Sequence, residues 1–189
     1  MSTNIRFRLK QETQAKHDEL DRQISALELA NAEHYALFLS LHRVCFEELA
    51  RAVGCEGSGH AQLSDLAKHL AADASALAIE LPSVEAPSLG SVDSLAARYV
   101  LGGSRLGSKI LRSRWATASD ERIARAGSYL SLPYSTDEWR LVCAELAALP
   151  PGGRRARCVE SDTMRIFDLF LSVLASLKTA EVRKTVKLQ

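Results

Sequence analysis

Two stretches of the chain carry residue types whose spacing could do chemistry. In the first, Lys10, Thr13, His17 and Asp21 recur at three or four residues, so a helix sets all four along one side. A neutral imidazole binds iron well, a lysine two turns away can pair with a carboxylate of the same ligand, and Thr13 and Asp21 stand where they can fix the ring's tautomer. The same spacing also suits a hydrogen-bonded core histidine, the commoner fate of an inward-pointing imidazole. The second stretch, Arg98-Tyr99-Val100-Leu101-Gly102-Gly103-Ser104-Arg105-Leu106-Gly107-Ser108-Lys109-Ile110-Leu111, reads as a helix with three glycines inside it. Each glycine costs roughly 1 kcal/mol against alanine there, so a kink or a close backbone approach should offset the loss. Gly103 and Gly107 are one turn apart, and a helix bare on that face can lie against a flat ligand or another helix.

Positioning these groups takes an all-helical scaffold. Thr3 or Asn4 can cap a first helix whose inward stripe is Ile5, Leu9, Thr13, His17, Leu20 and Ile24. Asn31 opens a second, broadly apolar helix ending at Gly54. Glu56 to Ala61 reads as a Gly/Ser linker, Ser64 to about Leu77 as a short Ala-rich helix, and Pro82, Pro87 and Gly90 as a loop. Ser91 or Ser94 can cap the glycine-bearing helix from about Leu95. After a break at Trp115 to Ser119, Asp120 to Leu130 fits a short helix, and Thr136 opens a segment with the apolar stripe Trp139, Val142, Cys143, Leu146 and Leu149. The closing helix is predicted from Cys158 or Val159 through Leu177, followed by a frayed basic tail with Arg183, Lys184 and Lys187. No alternating strand pattern competes.

The 189 residues suit one domain of ordinary hydrophobic content, 47%. A net charge of +1 argues against a nucleic-acid or membrane surface built by bulk charge, so function must reside in a site. Cys45, Cys55, Cys143 and Cys158 lack C-x-x-C spacing and read as reduced buried thiols, which points to the cytoplasm; the N-terminus lacks the apolar core of a signal peptide, and no apolar run reaches the ~20 residues of a membrane span.

Leu9, Lys10, Thr13 and His17 match the Leu-Lys/Arg-x-x-Thr-x-x-x-His pattern of the heme oxygenase family, and Tyr99 to Ser108 resembles the Tyr-Val-Leu-Glu-Gly-Ser-x-Leu-Gly-Gly stretch of its bacterial biliverdin-forming branch. Tyr134, Trp139 and Phe167 stand where similar sequences carry aromatics. The resemblance implies a single heme-oxygenase-like domain over residues 1–180 with a basic tail over 181–189, and heme held between the first helix and a kinked Gly-rich distal helix. It implies His17 as the iron ligand, Gly103, Gly107 and Ser104 as the catalytic distal positions, and Lys10, Thr13, Arg98, Tyr99, Ser108, Arg140 and Phe167 as cofactor contacts, with Arg98 and Arg140 near the propionates. Heme would be cofactor and substrate, opened to biliverdin, CO and ferrous iron. Electrons would come from an external ferredoxin or reductase, since the chain has no flavin or nicotinamide fingerprint, and a bacteriophytochrome could accept the product. Gly102 departs from the branch's Glu, Ser108 from its second Gly, and Lys109 from a frequent Gln, which points to a divergent member with altered chemistry or to a module that binds heme or another tetrapyrrole, or a protein partner, without turnover. A di-iron oxygenase of similar shape would need a Glu-x-x-His motif, and none occurs.

Overall fold

The computed structural model describes residues 5–54, 58–133 and 135–187, and every regular element in them is helical. In chain order these are α1 (Ile5–Ser25), α2 (Ala32–Val53), α3 (Ser58–Leu77), α4 (Ser94–Trp115), α5 (Glu121–Arg125), α6 (Thr136–Ala148) and α7 (Arg154–Lys187). The fold is all-α and has one hydrophobic core.

The centre of that core is α2. From Tyr35 to His42 every side chain is buried, and Val44, Cys45, Phe46 and Leu49 continue the burial, so this helix is apolar nearly all round and must be enclosed. Asn31 caps it, its side chain accepting from the backbone N–H groups of Glu33 (2.9 Å) and His34 (3.1 Å). α3 and α7 pack on it, while α7 also carries α1 and α4, and α6 packs on α4. α1 is amphipathic instead: Ile5, Leu9, Thr13, Leu20 and Ile24 are buried, and Arg8 reaches Glu160 at 2.6 Å while Lys16 pairs with Asp168, both on α7.

Several boundaries differ from the sequence expectation. Thr3 and Asn4 lie outside the described residues, as do Cys55, Glu56 and Gly57. α3 begins at Ser58, so Gly59 to Ala61 are helix rather than linker. Asp93, not Ser91 or Ser94, caps α4, accepting from Leu95 N at 2.9 Å while Arg155 holds its other oxygen at 2.9 Å. α5 stops at Arg125 because the next residues turn under Trp115: a Cβ on Gly127 would lie 2.4 Å from that indole, so only glycine fits. α7 starts earlier, at Arg154, and continues to Lys187, so the basic residues predicted as a frayed tail extend the helix. Cys45 is buried as expected, but Cys158 is exposed.

The long loop between α3 and α4 is pinned from both sides. Buried Glu48 accepts from Leu89 N at 2.6 Å, Arg165 donates to the carbonyls of Leu89 and Ser91, and Val92 N reaches Ala52 O at 3.1 Å. Backbone groups leaving the core are thereby satisfied, and α4 enters at a set angle. Among the described residues no helix is long and apolar enough to cross a membrane.

Candidate functional site

A cavity of about 830 Å3 opens between α1 and α4, with its inner wall formed by α2, α7 and the segment after α5. That volume is in the upper part of the range of small-molecule sites, roughly 300–1,000 Å3.

On α1 the cavity is lined by Arg6, Lys10, Thr13, His17 and Asp21. They share it because they share one helix face, and on it the His17 side chain is 45% exposed rather than fully buried. His17 Nδ1 lies 3.2 Å from Asp21 Oδ2, and the Phe167 ring meets the imidazole edge-on at 5.9 Å. A carboxylate beside Nδ1 keeps the proton there and leaves the Nε2 lone pair for a ligand. Thr13 is buried, and its hydroxyl donates to Leu9 O at 2.7 Å rather than to the imidazole.

On α4 the glycines divide into two kinds. A Cβ on Gly103 or Gly107 would meet nothing within 4 Å, and both residues line the cavity. A Cβ on Gly102 would lie 2.8 Å from Trp139 Cε3, so this position is glycine because α6 packs its indole against the backbone. α4 itself runs without interruption from Ser94 to Trp115. Ser104 and Ser108 also line the cavity, each hydroxyl donating back to its own helix, to Leu101 O at 2.8 Å and Arg105 O at 2.7 Å. Tyr99 stacks on Trp139 with ring centroids 5.7 Å apart, and burial pushes its phenol pKa up.

Two predicted contacts are not brought to this site. Arg98 is held by Glu145 of α6 at 2.9 Å, and exposed Arg140 pairs with Asp137 at 3.2 Å; neither lines the cavity. The carboxylates of their own neighbourhood claim both guanidinium groups. Tyr134 lies outside the described residues. Arg6, one turn before Lys10, takes a place at the mouth that the sequence motifs did not assign, with its guanidinium 6.0 Å from the Trp139 ring centroid. Phe7 and Ile110, 56% and 65% exposed, add apolar surface around the opening.

The inner wall brings in residues that the motifs did not single out. Phe38, His42, Tyr129, Leu130 and Phe170 line it. Tyr129 is placed by Asp73, whose carboxylate accepts from Ser128 N (2.6 Å) and Tyr129 N (2.8 Å), and by Arg105, which donates to Tyr129 O at 3.1 Å and Leu132 O at 2.5 Å. His42 is 6% exposed, and burial lowers its pKa to about 4. A signal existed in the sequence: Phe38, His42 and Phe46 follow one another at one helical turn on a helix already expected to be buried.

Among the described residues no three His, Cys, Asp or Glu side chains gather as a metal cluster, so the multi-carboxylate donor set of a di-iron centre is not assembled there. No family model matches the chain, and the curated proteins contain no significant match to it.

Proposed function

We propose that the cavity binds heme with His17 as the iron ligand, and that the chain is a heme oxygenase opening the macrocycle to biliverdin, CO and ferrous iron with electrons from an external ferredoxin or reductase. The observation that carries this reading is the pairing of the two walls. A carboxylate-oriented imidazole stands on α1, and on α4 two glycines leave open the space that side chains would fill. A flat, largely apolar ligand with anionic groups at one edge fits such a slot, its carboxylates toward Lys10 and Arg6 and its body against Phe167, Tyr99 and Trp139.

The bound iron would supply oxygen activation and electron transfer. The chain's own groups supply orientation and proton control. Asp21 holds the His17 ring so that Nε2 faces the ligand, and Lys10 anchors a carboxylate at the mouth. The Ser104 and Ser108 protons are already given to helix carbonyls, leaving only oxygen lone pairs toward the cavity, so these hydroxyls can accept from water but do not present a free proton. Proton delivery on the α4 side therefore runs through ordered water. A bacteriophytochrome accepting the product is compatible with this reading.

A second reading is favoured by one observation: Asp21 is the only carboxylate among the described lining residues, and it stands beside His17, so α4 offers no acid. On that reading the chain binds a tetrapyrrole without turnover. One experiment separates the two. With one equivalent of hemin the chain should give a shifted Soret band; with reductant and oxygen the enzyme loses that band and forms a bilin, whereas the binding module keeps it. A spectrum identical to free hemin would overturn both.

A further inference from the structure

The heme-cleaving chemistry proposed above makes no use of His42, although its ring lines the same cavity. The imidazole sits in an aromatic box, with ring centroids 4.3 Å from Phe38, 5.2 Å from Tyr129, 5.6 Å from Phe46 and 6.1 Å from Phe170. Its Nδ1 lies 2.8 Å from Phe38 O, and because a carbonyl only accepts, Nδ1 must carry the proton. The ring is neutral, since burial and the nearby Arg105 guanidinium both oppose a positive charge, so Nε2 bears a lone pair. No hydrogen bond among the described residues uses that atom. A ligand that covers it with hydrocarbon leaves a buried acceptor unpaired, whereas one that brings an N–H is favoured.

We propose that His42 Nε2 accepts a hydrogen bond from an N–H group of an open-chain tetrapyrrole, so that His42 distinguishes the opened product from the intact iron macrocycle. The inference rests on the heme-cleaving reading and deepens it. In an iron porphyrin all four ring nitrogens are bonded to the metal and no N–H exists. Ring opening with release of iron leaves pyrrole N–H groups and terminal lactams, which are donors. The carboxylates are common to both molecules, so Lys10 and Arg6 do not discriminate between them. The Ser104 and Ser108 oxygens on α4 can accept as well, but each hydroxyl is also open to water, whereas on the inner wall the buried His42 offers a fixed nitrogen lone pair.

The test titrates the purified chain separately with hemin and with biliverdin, by absorbance and tryptophan quenching, for the parent, His42→Phe and His42→Gln. Phenylalanine keeps the aromatic box and removes the acceptor; glutamine restores one. His42→Phe should weaken biliverdin binding roughly three- to tenfold and hemin binding less than about twofold, and His42→Gln should recover much of the loss. Equal weakening of both ligands, or unchanged biliverdin binding, overturns the proposal. In the parent itself the 15N resonance of His42 Nε2 should move upfield when biliverdin is added, a readout that survives if a variant does not fold; an unmoved resonance overturns it too. A parent that binds hemin but not biliverdin removes this role and leaves the heme reading standing. A parent that binds neither removes the heme reading.

Discussion

Of the two histidines that line the cavity, His17 is half exposed with its Nδ1 against the Asp21 carboxylate, whereas His42 is buried in aromatic rings with its Nδ1 on a backbone carbonyl. The partner of Nδ1 decides what Nε2 can do. Beside a carboxylate, the imidazole becomes an electron-rich donor suited to a metal; beside a carbonyl in an apolar box, it becomes a fixed neutral acceptor that also fills core volume. One is therefore expected to matter for the ligand and little for the fold, the other for both.

The largest expected effect breaks the first half of that contrast. His17→Ala should abolish turnover and remove the axial-ligand signature of bound hemin, with added imidazole restoring part of it, while the melting temperature changes little because the side chain contributes little packing. A hemin spectrum unchanged in the variant would show that His17 is not the ligand.

The second half is sharpened by pH. Folding holds the His42 pKa at about 4 against an ordinary 6.5, so between these values the unfolded chain binds a proton that the folded chain does not. Stability should rise with pH through this window and be lost as pH falls from 6.5 toward 4, by up to about 3 kcal/mol. Asp73, whose pKa burial raises, works in the opposite sense at the acid end. Denaturant midpoints measured across the window should show a slope that flattens in His42→Phe; an unaltered slope would assign the acid sensitivity elsewhere.

A parallel contrast separates the glycines of α4. Gly102→Ala should destabilise the fold by about 1–3 kcal/mol, because its methyl meets the Trp139 indole. Gly107→Leu should keep or raise the melting temperature, since the position is open, yet weaken hemin about tenfold or more by occupying the slot; Gly103→Leu should do the same with a larger loss of turnover. Thermal melts with hemin titrations check both directions, and a Gly107→Leu chain that binds hemin like the parent would detach α4 from the ligand.

The smallest effect is at the mouth. Lys10 is exposed, so its pairing with a ligand carboxylate is worth about 0.2–1 kcal/mol. Lys10→Ala should change hemin affinity slightly while altering its orientation, read from the bilin isomer formed. If neither isomer nor orientation changes, Lys10 is not the anchor, and Arg98 and Arg140, engaged by Glu145 and Asp137 away from the cavity, do not replace it in this geometry.

Local regularities are legible in the chain itself. The stripe through Ile5, Leu9, Thr13, Leu20 and Ile24, the burial of α2 and the shared face of Gly103 and Gly107 follow from a period of about 3.6 residues, which needs no knowledge of what packs opposite. Caps are less legible, because Ser91, Asp93 and Ser94 all have capping chemistry and only the geometry of Leu95 N and Arg155 selects Asp93.

Residue order alone thus dictates the all-helical class, the succession of the main helices and which face of α1 and of α4 turns to the cavity. Which charges stay available, and which glycine serves which purpose, is settled only when the helices meet. Arg98 and Lys10 look alike as cations at a predicted pocket, but a carboxylate on α6, 47 residues away from Arg98 in the chain, claims one of them. Gly102 and Gly103 are neighbours of identical chemistry, separated in role by a turn of roughly 100° about the helix axis that points one at an indole and the other into open space. Pairings of this kind depend on groups distant in sequence, and periodicity carries no information about them.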